Sequence, residues 1–176
     1  MRVAFLVGPK MFQLRNVPDL VAPADGLVLK VCACGVCGSD LRRWREGPTA
    51  GVDNSIVPGH EVAGVVVEVG SQVQGYVVGD HIALAPDIHC GQCYYCKHGQ
   101  YNLCDNMRLL GITPGYWGGF ADKMMLTRET LTNGIVHRMP TNLSFDDAAL
   151  SEPLSSVLSA HEQLGASLGD TVVVIG

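Results

Sequence analysis

The chain has 176 residues, a formal net charge of −5, and 47% hydrophobic against 16% charged residues. That length and balance describe a globular chain with room for one domain, or one domain and part of a second. The acidic balance removes the electrostatic reason to expect nucleic acid or an anionic membrane as partner, and no apolar run reaches the roughly 18 residues needed to span a bilayer.

The N-terminus, Met1 to Gly8, has an apolar core too short for a signal peptide, so the expected location is the cytoplasm. In that compartment clustered cysteines bind metal more often than they form disulfides, and this chain has seven. Its 21 glycines and few aromatics suggest many short strands joined by turns.

Arg2 to Val7 reads as a strand, Gly8-Pro9 as a turn, and Phe12 to Val17 as a second strand pairing back as a hairpin. Pro23 to Gly26 is a turn before the apolar run Leu27 to Val36. Cys32 and Cys34 stand two apart there, so both are expected on one side of the strand as small buried hydrophobes. Cys34 and Cys37 also form a Cys-x-x-Cys, but nothing nearby opens a helix in a βαβ context, so redox chemistry is discounted. Ser39 to Glu46 reads as a short helix closed by Gly47-Pro48, and a loop of small and polar residues follows to Ile56. Val62 to Val69 is a buried valine-rich strand, and Val78-Gly79-Asp80 turns into a strand over His81 to Ala85. Repeated short strands at this spacing suggest a β-barrel or sandwich.

Pro86 to Asn106 breaks the pattern and has almost no apolar periodicity. Strand character returns over Phe120 to Thr127. Ser144 with Asp147 has the form of a capping box and opens a short helix. Glu152 to Leu164 reads as a second helix, capped by Ser151, with Pro153 in its first turn and Gly165 as its stop. The final run, Thr171 to Gly176, is an apolar strand ending in glycine, the way a dinucleotide fold begins.

Cys90, Cys93, Cys96 and Cys104 follow the spacing C-x2-C-x2-C-x7-C. Only a tight loop brings three thiolates so close in sequence, and four thiolates fill a tetrahedral zinc site with no position left for substrate, which makes its role structural. An iron–sulfur cluster is the alternative, but the bacterial ferredoxin run closes with x3 and a proline, not x7 and Asp105. Free or disulfide-bonded cysteines are the remaining reading. His89 and His98 flank the lobe and are expected to face solvent.

A second candidate site centres on Pro58-Gly59-His60-Glu61, with Cys37 upstream and Glu152 downstream. One thiolate, one imidazole and one or two carboxylates form a plausible ligand set for a catalytic zinc. Adjacent ligands at His60 and Glu61 need irregular backbone, since a regular strand points neighbours to opposite faces. The Pro-Gly turn supplies it. A packed or surface histidine is the competing reading, because local spacing does not show that the two segments meet.

Six motifs stand in one order: Cys37-Gly38-Ser39-Asp40, Gly59-His60-Glu61, Gly79-Asp80, the four-cysteine lobe, Gly118-Gly119-Phe120-Ala121 and Glu152-Pro153-Leu154-Ser155. In this the whole chain resembles the zinc-dependent medium-chain alcohol dehydrogenases, and its first and last motifs are most similar to the sorbitol (polyol) dehydrogenase branch. The resemblance implies a mainly β fold with short helices. Residues 1–150 would form a GroES-like, partly open β-barrel with a zinc lobe at 86–106. Residues 151–176 would form a connecting helix and the first strand of a Rossmann domain, with Gly176 the one cofactor-contacting position and the rest of that domain missing.

The resemblance also implies roles. Cys37, His60 and Glu61 match catalytic zinc ligands, and Glu152 matches a further ligand, direct or through water. Ser39 matches the hydroxyl that relays the substrate proton, and Asp40 the carboxylate that orients the histidine. Metal-ligating histidines commonly need such a partner on the other ring nitrogen. The expected chemistry is hydride transfer between a polyol or secondary alcohol and NAD or NADP, with zinc as the Lewis acid. Family members often carry histidine where this chain has Arg42, which stays protonated and is a poor relay; solvation is the first reading for it, a contact to cofactor phosphate or a proton path through ribose and water the alternatives. Trp44 is the first choice for a pocket wall, ahead of Tyr116 and Trp117. The full-length enzyme is expected to be a homo-oligomer, and this piece alone a monomer that turns over no alcohol. Two other readings compete. A zinc-stabilised GroES-like structural or binding module would need only the cysteine lobe. A metal-free quinone reductase of the same superfamily is expected to lack both cysteine sets.

Overall fold

In the computed structural model residues 1–48 and 56–175 are described. The loop expected before Ile56 and the terminal Gly176 lie outside the described residues. The chain begins with an antiparallel hairpin, β1 (Arg2–Gly8) and β2 (Met11–Asn16), in register from Arg2 opposite Asn16 to Leu6 opposite Phe12. β1 buries Val3, Phe5 and Leu6, while β2 stays exposed. Single bridges from Val3 to Ala121 and from Leu6 to Ile56 attach the hairpin to the rest.

A six-stranded antiparallel sheet carries the core. It begins with β3 (Leu27–Cys34), then β4 (Val62–Val69) and β5 (His81–Ile88). The later strands are β6 (Arg108–Leu109), β7 (Lys123–Leu126) and β8 (Gly134–Arg138). β3 lies between β4 and β7. Leu84 pairs with Val62 of β4 and Val136 of β8, and Ile88 pairs with Arg108 of β6 and Gly134 of β8. β4 and β6 therefore share one edge of β5, and β8 takes the other. Register shifts in β3 and in β5 curl this sheet into a half-barrel around Leu27, Leu29, Val66, Ile82, Met124 and Leu126, all almost fully buried. Each such side chain contributes about 1.5–3 kcal/mol on burial, which makes this wall rigid support for what hangs from its ends.

The strands over Arg2–Gly8 and Val62–Val69 and the first hairpin match expectation. Cys32 does not. Between Val31 and Ala33 the β3–β4 register slips, so the alternation of faces breaks and Cys32 is exposed. Its partner Cys34 packs against the core.

Among the described residues, five helices and one 3₁₀ turn accompany the sheet. α1 (Gly38–Glu46) follows β3. α2 (Tyr94–Lys97) and the 3₁₀ turn Tyr101–Leu103 form the lobe. α3 (Arg128–Asn133) is capped by Thr127, whose hydroxyl accepts the Thr130 N–H. α3 and β8 are short elements that periodicity does not reveal; the Thr127 cap and Gly134 are their only local signals. α4 (Phe145–Ala149) has the expected Ser144 cap, with Asp147 N–H donating to the hydroxyl at 3.1 Å. α5 (Ser151–Leu164) ends, as expected, at Gly165 with φ of 63°.

Two expectations for the C-terminal segment fail. Ser151 does not cap α5: its hydroxyl donates to the Ala148 carbonyl, because Leu150 closes α4 and opens α5 with no break between them. Thr171 to Ile175 forms no strand and stays exposed. A strand needs a neighbour for its N–H and C=O groups, and none among the described residues flanks it. α5 buries none of its residues. No helix among the described residues is long and apolar enough to cross a membrane.

Candidate metal centres

The lobe gathers its four thiols by local folding. α2 begins at Cys93, whose sulfur accepts the Cys96 N–H. The 3₁₀ turn then brings Cys104 back, and its sulfur accepts the N–H groups of Cys90, at 3.2 Å, and Asn106, at 3.4 Å. All four sulfurs lie within 4.8 Å of one another. The Cys93–Cys96 pair is 3.4 Å apart and the Cys90–Cys96 pair 3.9 Å. Four sulfurs held tetrahedrally at the zinc–thiolate bond length would stand about 3.8 Å apart. Cys90 is held down at about 6, first by backbone N–H groups of Gln92 and Cys93, while burial pushes Cys96 up to about 12. A dication would favour the thiolate at every position. Neither histidine joins this group. His98 is exposed and stacks on Tyr94, as expected for a solvent-facing ring, whereas His89 is half-buried against Tyr101.

The second group is assembled from distant segments. β3 ends at Cys34, and the chain turns through Gly35 and Val36 to Cys37, the N-terminal cap of α1. Asp40 lies in the first turn of that helix, and its Oδ2 accepts the Cys37 N–H at 3.0 Å. The other strand of the pair, β4, is entered through Pro58-Gly59-His60-Glu61, all buried. Gly59 has φ of 93°, the left-handed region that a glycine adopts at little cost. Its turn is clamped by the segment Gly118-Gly119-Phe120, whose N–H groups donate to the carbonyls of Val57, Gly59 and Pro58 at 2.8, 2.7 and 2.9 Å. A Cβ on Gly118 would stand 2.2 Å from the Gly59 oxygen, so the clamp closes only without side chains there. Across the site, Gly35 N–H donates to the Glu61 carbonyl at 2.8 Å, and a Cβ on Gly35 would overlap the Glu61 carboxylate at 1.8 Å.

These constraints place donor atoms of Cys37, His60 and Glu61 within 4.8 Å of one another. His60 and Glu61 are 4% and 6% exposed. The two ring nitrogens of His60 face different neighbours. Nε2 lies 3.5 Å from the Ser39 hydroxyl, and Nδ1 lies 3.6 Å from Asp40 Oδ1, with no hydrogen-bond partner of its own among the described residues. Asp40 itself is 6% exposed. A buried imidazole and two buried carboxylates beside a half-buried thiol, with an orphaned ring nitrogen, are costly without a cation. Zinc fits this donor set: a metal on the Nε2 side leaves Nδ1–H directed at Asp40.

Glu152 lies outside the three-residue group, in the first turn of α5. Partial burial pushes its carboxyl up, opposed by His60 and reinforced by Glu61, Asp87 and Asp40, so it stands within electrostatic reach of the group. Arg42 is exposed, as expected. Arg43, which sequence reasoning passed over, reaches from α1 to the Gly111 carbonyl at 2.9 Å and ties the helix to the Gly59 clamp. Trp44 is half-buried, and its carbonyl accepts the Lys10 N–H from the first hairpin. Tyr116 and Trp117 line a cavity of about 540 Å³ with Leu110, Met124 and Met125.

Residues 23–139 match the alcohol dehydrogenase GroES-like domain. The chain belongs to that family. A probable D-xylulose reductase A from Emericella nidulans is 37% identical over 167 residues, covering 94% of this domain's chain and 45% of its own length. The sorbitol dehydrogenase of Bacillus subtilis is 33% identical over 178 residues, with 100% and 49% covered. Among solved structures, an Escherichia coli oxidoreductase/dehydrogenase of unknown specificity superposes with a TM-score of 0.84 at 29% identity, covering 96% of this chain and 48% of that one. This GroES-like chain thus spans about half the length of the curated relatives it matches. The mainly β, half-barrel architecture and the resemblance to zinc-dependent medium-chain dehydrogenases both hold.

Proposed function

We propose that the chain is the catalytic domain of a zinc- and nicotinamide-dependent dehydrogenase acting on a polyol or secondary alcohol. The observation that carries this reading is the convergence of Cys37, His60 and Glu61, with Ser39 and Asp40 on the two sides of the His60 ring. A structural module needs only the cysteine lobe and gives no reason for a second buried donor set. The relatives named for xylulose and sorbitol point to polyols as the substrate class.

Bound zinc would supply Lewis acidity toward the substrate oxygen. The protein's own groups do the rest. Asp40 holds the imidazole from the Nδ1 side and at the same time fixes Cys37 through its N–H, so one carboxylate sets two ligands. Ser39 is exposed, with its hydroxyl beside Nε2, and takes the substrate proton to water directly. Arg42, exposed and permanently charged, has no part in that path. Glu152 stands by as a further carboxylate, and Cys90, Cys93, Cys96 and Cys104 would hold a structural zinc. Residues 1–150 form this catalytic domain, and α5 leads towards the domain that binds NAD or NADP, in a cytoplasmic enzyme.

The test uses cobalt(II) in place of zinc. The purified chain is expected to take two metal ions, one with a four-thiolate spectrum and one with a single-thiolate spectrum that Cys37→Ser abolishes. Adding sorbitol or another polyol should shift only the single-thiolate bands. If that site fills but no polyol or simple alcohol perturbs it, the substrate reading is wrong.

A further inference from the structure

Cys34 is the one cysteine that belongs to neither donor set yet lies against the second. It is the last residue of β3 and pairs with Val62, the first residue of β4. The next backbone contact beyond that pair is the Gly35 N–H to the Glu61 carbonyl. Cys34 therefore marks the point where the ladder ends and the His60–Glu61 turn begins.

Its sulfur is wedged between two glycines. A Cβ built on Gly59 would stand 2.8 Å from Cys34 Sγ, and one built on Gly119 would stand 2.8 Å from the same atom. The sulfur thus occupies the space that side chains on both residues would need. Gly59 precedes His60, and Gly119 N–H donates to the Gly59 carbonyl at 2.7 Å. The Phe120 ring closes the far side, 2.6 Å from the same Gly59 Cβ position.

We propose that Cys34 is a positioning residue for the candidate catalytic metal site, its sulfur setting the height of the Gly59–His60 turn against the Gly118–Phe120 clamp. The inference rests on the proposed function only for its metal readout. Alanine leaves a gap one sulfur wide, into which the turn can settle. Valine drives a second branch into Gly59 or Gly119, since a packed interior has no room for it. Either change moves His60 and Glu61 relative to Cys37, while the cysteine lobe, built on its own loop, keeps its geometry.

The experiment compares Cys34→Ala, Cys34→Val and a Cys32→Ala control with the unmodified chain. Amide exchange at Gly119 and Gly35, the donors to Gly59 and Glu61, is expected to quicken at least about tenfold in both Cys34 variants. Core amides such as Val66 should change less, and the Cys32 control should not change. Cobalt binding at the single-thiolate site is expected to weaken about 10–100-fold with shifted bands, the four-thiolate bands staying constant. Unchanged exchange at Gly119 and Gly35 overturns the proposal, whatever the metal does. If the unmodified chain fills only the four-thiolate site, the metal reading of Cys37, His60 and Glu61 fails by itself, and the exchange data still decide the role of Cys34.

Discussion

The four sulfurs of the lobe come from one loop, residues 90–104, whereas Cys37 and the His60–Glu61 pair come from two different segments, just after β3 and just before β4, which meet at the same end of the β3–β4 ladder. In the lobe, only Cys96 among the four is buried, and the backbone has two turns of helix and no core cluster of its own. Around His60, the Pro58–Glu61 turn and Asp40 are buried, Cys37 is half-buried, and the turn is clamped by glycine backbone. On the proposed reading a metal would hold the first segment together, whereas the second group is held by the backbone around it. A structural ion and a reactive one call for these two constructions, since a reactive site must keep its geometry while a ligand position opens and closes.

The largest effect should come from removing the lobe's ion. With Cys93→Ser and Cys96→Ser together, one metal atom per chain is expected to be lost, and residues 90–104 should lose amide protection while β3, β4 and β5 keep theirs. Elemental analysis and hydrogen exchange check this. Collapse of the whole sheet would erase the distinction between the two regions.

Next is Gly35→Ala, whose methyl group would overlap the Glu61 carboxylate. The expected result is loss of the single-thiolate metal by about 100-fold or more in affinity, a change in stability of about 1–3 kcal/mol, and an intact lobe. Metal titration beside a thermal melt separates the two readouts. Asp40→Asn should act more gently. The amide can still accept the Cys37 N–H, but it removes the charge facing His60 Nδ1. Affinity at that site should fall about 10–100-fold with little change in melting temperature.

The smallest effect concerns an ion pair that belongs to neither donor group and serves as their control. The Asp19 carboxyl is held down to about 2, first by Lys123 and then by the N-terminal ammonium, at 2.7 and 2.9 Å. A carboxyl lowered on folding adds stability above its unfolded value, near 3.8, and that contribution fades as pH falls through about 2. Asp19→Asn should therefore lower the melting temperature slightly at pH 6 in low salt, and the difference should vanish near pH 2. The Asp19 carboxylate is exposed, so salt should shrink the effect as well. Metal content at both centres should not change.

Much of this was legible along the chain, and the residues show why. Alternation and turn chemistry gave the first hairpin, the valine strand from Val62 to Val69, the Ser144 cap and the Gly165 stop, all of which depend on neighbours within a few residues. The lobe belongs with them, because its ligands share one loop. Failures cluster where a distant segment decides. Cys32 turned outward because β4 imposes a slipped register on β3. Ser151 lost its cap because α4 runs into α5. Thr171 to Ile175 has strand composition but no neighbouring strand.

What the sequence by itself determined is therefore the local chemistry: the four-thiol loop, the Cys-Gly-Ser-Asp and Gly-His-Glu donors, and most of the strands. Only the tertiary structure decided that Cys37 and His60 meet, that Asp40 serves both, and that the sulfur of Cys34 fills the gap between Gly59 and Gly119. Those outcomes depend on β3–β4 register and on the backbones of Gly35, Gly59, Gly118 and Gly119 packing without side chains. Both are properties of close approach between segments far apart in the chain, and local spacing carries no record of them.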